Sequence, residues 1–201
     1  MTIIKSLRPP DYLSLTALLF AWISIILIFS GQANWSIITM LVAFAFDVLD
    51  GHYARKLGIN SRFGRQLDSF VDVLTYLVFA ALLFHAFLSP NSFLSIIIGF
   101  LILSFGISRL IRFNHEGIII KKNRKFYRGL TVVHISLIVL ICYFLQEFVP
   151  CWNGWFSTAI LAIFSPLMIS NYLSYKFEKL WILAIISLGI AALALFSQYA
   201  H

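Results

Sequence analysis

Tyr12-Leu13-Ser14-Leu15-Thr16-Ala17-Leu18-Leu19-Phe20-Ala21-Trp22-Ile23-Ser24-Ile25-Ile26-Leu27-Ile28-Phe29-Ser30 is a run of residues without a single charge. As a helix it rises about 1.5 Å per residue, close to 29 Å in all. The hydrocarbon core of a bilayer is about 30 Å thick. Six more apolar stretches follow, and the seven together lie near 12–30, 35–56, 66–88, 92–112, 129–148, 155–174 and 180–198. The composition agrees: 61% of the 201 residues are hydrophobic and 11% are charged, against about 25% charged in soluble domains. So little charge cannot cover a water-exposed surface. Ten Gly and five Pro exclude a collagen-like chain, and two cysteines exclude a disulfide scaffold. The long unbroken apolar runs predict helices, not the alternating ten-residue strands of a membrane barrel. The expectation is a single membrane-embedded, all-α polytopic domain over residues 1–201.

The charges order that domain. Lys5 and Arg8 precede the first span, and Arg55, Lys56, Arg62 and Arg65 surround the second connection. Arg109, Arg112, Lys121, Lys122, Arg124, Lys125 and Arg128 surround the fourth; Lys176 and Lys179 lie in the sixth. These are all fifteen Lys and Arg, and with alternating spans all fall on one side. The positive-inside rule makes that side cytoplasmic. The net charge of +7 is thus a topology signal that attracts anionic headgroups and requires no nucleic acid. Residues 1–10 are expected to form a cytoplasmic interfacial segment ended by Pro9 and Pro10, and no signal-peptide cleavage site stands out. Cys142 and Cys151 are not placed to pair. His85 and His134 read as hydrogen-bonded packing residues, and Trp35, Trp152 and Trp155 as an outer aromatic belt.

Four of the eight acids fall in one stretch: Asp47, Asp50, Asp68 and Asp72. Asp47 and Asp50 share one helix face at i,i+3, as do Asp68 and Asp72 at i,i+4. Their helices run antiparallel through a short turn, so the pairs can face each other. Asp47 stands about 18 Å from the outer end of its span, inside the hydrocarbon thickness. A carboxylate there costs several kcal/mol unless it is paired or solvated. Salt bridges to Arg55, Arg62 and Arg65 are one remedy, but most of those side chains would have to reach back from the turn. A divalent cation fits better. With oxygen ligands alone it would be hard: Mg²⁺, Mn²⁺ or Ca²⁺. Two such ions suit four carboxylates and would clamp a phosphate ester. Gly51 and Ala54 among the acids leave room for a ligand, or for close helix packing.

The pattern Asp47-x2-Asp50-Gly51-x2-Ala54-Arg55-x8-Gly64-x3-Asp68-x3-Asp72 is similar to the signature of the CDP-alcohol phosphotransferases at every position. The resemblance implies a six-helix core, here 12–174, often dimeric, with 180–198 as an additional seventh span. It implies transfer from a CDP-linked donor to an alcohol with release of CMP. It makes Asp47, Asp50, Asp68 and Asp72 metal ligands and Asp72 also the catalytic base. Gly51, Ala54, Arg55 and Gly64 would bind the nucleotide.

Further segments resemble the phosphatidylserine synthase branch: Leu67-Asp68-Ser69, Arg109-Leu110-Ile111-Arg112-Phe113-Asn114, Gly129-Leu130 and Leu167-Met168-Ile169-Ser170. Tyr76-Leu77-Val78-Phe79-Ala80 departs from that branch's FGVAP-like stretch, and Thr131 stands in place of a proline. The branch implies CDP-diacylglycerol, or a related CDP-lipid, as donor and L-serine as acceptor. Glycerol phosphate or an inositol phosphate is the alternative acceptor. Arg109 and Arg112 are candidate contacts to an acceptor carboxylate or a phosphate, with snorkelling as the bland reading. A cation transporter built on the four Asp is a more remote reading. Matching broken-helix Gly/Pro pairs, which would favour it, are missing from the two halves of the chain.

Overall fold

A computed structural model describes residues 7–58, 62–117, 119–121, 124–175 and 180–200. Helix α1 (Pro9–Phe29) and α2 (Ala33–Leu57) form a hairpin. The third span, α3, begins as Arg62–Asp72 and runs without a break through a π-helical turn at Val73–Val78. It continues as α-helix over Phe79–Leu83 and ends in a second π-turn, Phe84–Leu88. Then come α4 (Ser92–Glu116), strands β1 (Ile119–Lys121) and β2 (Arg124–Arg128), α5 (Val132–Phe148), and α6 (Gly154–Phe164) with a 3₁₀ turn at Pro166–Ile169. Strand β3 (Leu173–Tyr175) and α7 (Leu180–Ala200) complete the chain. The first four spans are 21 to 26 residues long and apolar enough to cross a membrane. The protein is an all-α, multi-pass integral membrane protein.

The hairpin is tight because small residues line it. Ala17, Ala21 and Ser24 recur on one face of α1 and are buried, as are Ser36, Met40 and Ala43 on α2. Small faces let backbones approach where no hydrophobic force drives helices together. Ser24 and Ser36 use that approach: each hydroxyl donates to the other's main-chain carbonyl at 2.8 Å. Between α3 and α4 the fit is closer still, and a Cβ on Gly106 would strike the Leu77 side chain of the first π-turn. The interior is filled by Ile37, Tyr76, Phe79, Phe84, Ile102, Ile135 and Leu161. α7 packs on α2, with Asn34 donating to Ser197 at 3.2 Å near the basic-poor end.

Several expectations change. Pro9 and Pro10 open α1 at its first two positions, where a missing N–H costs nothing. Residues 1–6 lie outside the described residues, as do Lys122, Lys176 and Lys179. The sixth span does not continue to 174. Its α-helix ends at Phe164, before Pro166, and the chain leaves the 3₁₀ turn as a strand. The basic loop after α4 is a hairpin: β1 pairs antiparallel with β2 (Ile119 opposite Phe126), and β2 pairs with β3 (Tyr127 opposite Ser174). Hydropathy is blind to this sheet because its strands are short: β1 and β2 lie outside the apolar runs, and β3 begins inside the tail of the sixth.

Arg112 locks the sheet to the bundle. Its guanidinium donates to the carbonyls of Ile169 (2.7 Å), Met168 (3.0 Å), Arg128 (3.1 Å) and Ser170 (3.2 Å). Three of these, from Met168, Ile169 and Ser170, are carbonyls just past α6 that the helix cannot satisfy itself; the fourth is at the end of β2. Gly129 lies beneath, with its N–H donating to Tyr172 at 2.7 Å and φ at +75°. A Cβ there would collide with the carbonyl of Met168 and crowd Arg112. Gly58, which caps α2, also has a positive φ (+65°), but nothing lies within 4 Å of its missing Cβ.

The two glycines make a matched test. Gly58→Ala should lose only the cost of a left-handed backbone, about 1–2 kcal/mol. Gly129→Ala should lose that and the collision, so its thermal midpoint in detergent should fall clearly further. Equal midpoints would refute the packing account of Gly129.

Candidate active site

The helical turns of α2 and α3 set the acids side by side. Carboxylate oxygens of Asp47, Asp50 and Asp68 all lie within 4.8 Å of one another. Oxygens on opposite sides of a hard cation bound at 2.0–2.6 Å stand about 4–5 Å apart, so this spacing admits one ion. Asp72 sits one turn further along α3 and is not part of that trio. The donor set is entirely oxygen, as a hard ion requires.

The trio is also poorly satisfied by protein alone. Among the described residues none of the four aspartates forms an ion pair; the ion pair that is present, Arg128 to Glu116 at 3.2 Å, lies elsewhere. Asp47 Oδ1 is buried with no hydrogen-bond partner. Two carboxylates about 4.8 Å apart repel by roughly 3 kcal/mol at an effective dielectric constant of 20. A buried, unpaired acceptor inside a repelling cluster is what a bound cation would relieve. The residues therefore fit a divalent metal ion.

A cleft of about 180 Å³ opens beside the trio, bounded by Asp50, Gly51, Ala54, Arg55, Gly64 and Asp68. The turn between α2 and α3 thus gathers six of the eight signature positions around one space. Arg55 folds back over Gly51, with Nη1 3.2 Å from where a Cβ would project. A larger residue at position 51 would push the guanidinium out of the cleft. The remaining wall comes from α1, through Pro10, Asp11 and Ser14, together with Arg65. Asp11 accepts from the main-chain N–H of Arg8 at 2.8 Å and closes the start of α1.

Ser14, Asp11 and Tyr76 are members of the site that sequence reasoning did not select. Ser14 donates to Asp50 Oδ2 at 2.5 Å, and the Tyr76 hydroxyl donates to Asp47 Oδ2 at 2.7 Å. Serines are scattered along α1, and nothing in their spacing marks Ser14. An acid opening an apolar span was a usable signal for Asp11. A tyrosine in place of the FGVAP-like stretch was one for Tyr76.

The two arginines of α4 have different surroundings. Arg112 is committed to the four main-chain carbonyls already described, a structural role that the expectation of a ligand contact did not include. Arg109 is 5% exposed, and its guanidinium carbon lies 5.3 Å from the ring centre of Phe113 and 5.6 Å from that of Tyr127. Its Nε is buried without a hydrogen-bond partner, and Asp72 is the carboxylate that interacts with it electrostatically. Asn114, from the same segment, donates to Ser69 at 2.9 Å. Leu130 donates its N–H to the carbonyl of Leu167 at 3.1 Å. The branch-like segments are thus brought into mutual contact around the basic end of α4.

Comparison with known proteins points the same way. Residues 7–164 match the model of a family described as CDP-alcohol phosphatidyltransferase. The chain is 33% identical over 165 residues to archaetidylserine synthase of Methanothermobacter thermautotrophicus, covering 81% of this chain and 67% of that protein. It is 31% identical over 172 residues to CDP-diacylglycerol–serine O-phosphatidyltransferase of Methanocaldococcus jannaschii, covering 85% and 75%. The corresponding Helicobacter pylori enzyme is 26% identical over 172 residues, covering 82% and 69%.

Repulsion within the trio yields a test. Above neutral pH and without metal, Asp68→Asn should raise the thermal midpoint, because one charge leaves a crowded site. The same variant should lose most of the stabilisation that Mn²⁺ gives the parent. A lower metal-free midpoint together with an undiminished Mn²⁺ effect would contradict the convergence of the three carboxylates.

Proposed function

The chain belongs to the CDP-alcohol phosphatidyltransferase family, and we propose that it transfers a phosphatidyl group from CDP-diacylglycerol, or a related CDP-lipid, to the hydroxyl of L-serine. The products are phosphatidylserine, or the corresponding serine lipid, and CMP. The observation that carries this reading is the single cleft where six signature residues meet, with the Asp trio along one side. The names of the relatives support serine as acceptor.

The roles follow from chemistry. Asp47, Asp50 and Asp68 hold divalent cation, Mg²⁺ or Mn²⁺, with Asp72 completing the charge for a second ion: four carboxylates balance two such ions. When bound, the cations neutralise the diphosphate and orient it for in-line displacement. Arg55, Gly51, Ala54 and Gly64 border the CDP group, the small residues giving it access to the backbone. Asp72 accepts the proton of the serine hydroxyl as its oxygen bonds to the lipid-side phosphorus. The bond from that phosphorus to the bridging oxygen breaks, and the electron pair leaves with CMP. Arg109 pairs with the serine carboxylate, which gives its orphaned Nε a partner, while Phe113 and Tyr127 hold the guanidinium plane. The site lies at the basic end of the bundle, which the positive-inside rule assigns to the cytoplasm.

Purified protein with CDP-diacylglycerol and Mn²⁺ or Mg²⁺ should release CMP when serine is added. Glycerol phosphate and inositol phosphate should give none. No CMP with any acceptor would overturn the enzymatic reading, and CMP only with a phosphorylated alcohol would overturn serine. Asp72→Asn should abolish turnover without lowering the thermal midpoint. Arg109→Ala should raise the serine KM about 10- to 150-fold, the equivalent of a charged hydrogen bond worth about 1.5–3 kcal/mol. An unchanged serine KM would remove Arg109 from the acceptor site.

A further inference from the structure

We infer that Tyr76 and Ser14 are the positioning residues of the metal centre: each hydroxyl holds one oxygen of an aspartate and leaves its other oxygen free for the cation. This rests on the reading of the Asp trio as a metal site. The two contacts are the same in kind. Tyr76 donates to Oδ2 of Asp47 and Ser14 to Oδ2 of Asp50. In the first case the consequence is visible, because Asp47 Oδ1 stays buried without a partner.

The choice of donors matters. A lysine or arginine in either place would neutralise the aspartate and compete with the cation. A hydroxyl fixes the carboxylate and leaves its negative charge in place. Partners of this kind orient metal ligands, and their loss typically weakens metal affinity about 10- to 100-fold.

The backbone around Tyr76 is arranged for this contact. The phenol lies in the π-turn Val73–Val78, immediately after Asp72. One extra residue per turn shifts the side chains that follow relative to an α-helix. The ring is 2% exposed and meets Phe44 edge-on, with centroids 6.1 Å apart. Its far side borders a small apolar cavity walled by Leu183, Ile186 and Ile190 of α7. The seventh helix thereby backs a ring whose hydroxyl reaches the metal ligands. Ser14 comes from a different helix, α1, and is 4% exposed. Two of the three aspartates are thus held by hydroxyls, Asp50 by a residue of α1 and Asp47 by a residue of α3.

Mn²⁺ binding to the full-length protein in lipid nanodiscs, without nucleotide, tests this through the paramagnetic resonance signal of free Mn²⁺. Tyr76→Phe and Ser14→Ala should each weaken binding about 10- to 100-fold, with the metal-free thermal midpoint of Tyr76→Phe close to that of the parent. Ser14→Thr, which restores a hydroxyl, should recover most of the affinity. Parent-like affinity in both Tyr76→Phe and Ser14→Ala would overturn the inference. So would a loss in Ser14→Ala that Ser14→Thr does not recover, and that pair decides the matter if Tyr76→Phe fails to fold. A parent that binds no Mn²⁺ also overturns it. A parent that binds Mn²⁺ yet releases no CMP overturns the proposed reaction and leaves this inference standing.

Discussion

Asp47, Asp50 and Asp68 crowd their carboxylates within 4.8 Å inside a protein made mostly of hydrocarbon. In water such a cluster would cost little, because solvent would screen it. In a bundle of membrane helices each charge loses solvation, and every pair adds repulsion. The α1–α2 hairpin, the packing of α3 on α1 and the π-helical stretch after Asp72 hold the aspartates together against that repulsion. The architecture near the basic end is the frame of one unfavourable cluster that a divalent ion would make favourable.

The frame is strong where it has to be. Membrane helices gain little from apolar burial, since lipid is equally apolar, and so they rely on close packing and on polar contacts between helices. The small faces of α1 and α2 with the Ser24–Ser36 exchange at one end, and the Ser14–Asp50 contact toward the other, join the two helices along their length. α3 joins them through Tyr76. These contacts leave the cleft beside the trio open, bounded by glycine and alanine where a larger side chain would fill it.

The sequence predicts the parts of this arrangement that depend on local spacing. Seven apolar runs became seven helices, because length and hydropathy are properties of a single segment. Spacing places Asp47 and Asp50 on one helix face at i,i+3 whatever the neighbours are; the expected meeting of all four aspartates is seen for Asp47, Asp50 and Asp68, with Asp72 outside the trio. Contacts between distant segments left no such mark. Ser14 is 36 residues from Asp50, and one serine on an apolar helix looks like another. The three-stranded sheet pairs the strand near 126 with one near 120 on one side and with the strand at 173–175 on the other, and its short strands have no periodicity to detect. The early end of the sixth span was signalled by Pro166, but a hydropathy window averages across a proline.

Arg109 and Arg112 illustrate the same division at the scale of one helical turn. Both are arginines at the basic end of α4, and spacing alone assigns them the same role. What separates them is the partner each meets across the bundle. Arg112 reaches the carbonyls at the end of α6 and fastens that end to the loop at Gly129, joining three of the segments that resemble the serine branch. Those segments therefore share a structural task. By tying α4, α6 and the sheet together, they hold Arg109 against the Phe113–Tyr127 ring pair and within electrostatic reach of Asp72. Similarity in such segments reflects a scaffold that sets the position of one buried guanidinium, the group proposed above to meet the acceptor. The metal trio is built separately, by α1, α2 and α3. On the proposed assignment of roles, the transfer chemistry and the choice of acceptor would rest on different helices and meet at Asp72, which shares α3 with the trio and faces Arg109 electrostatically.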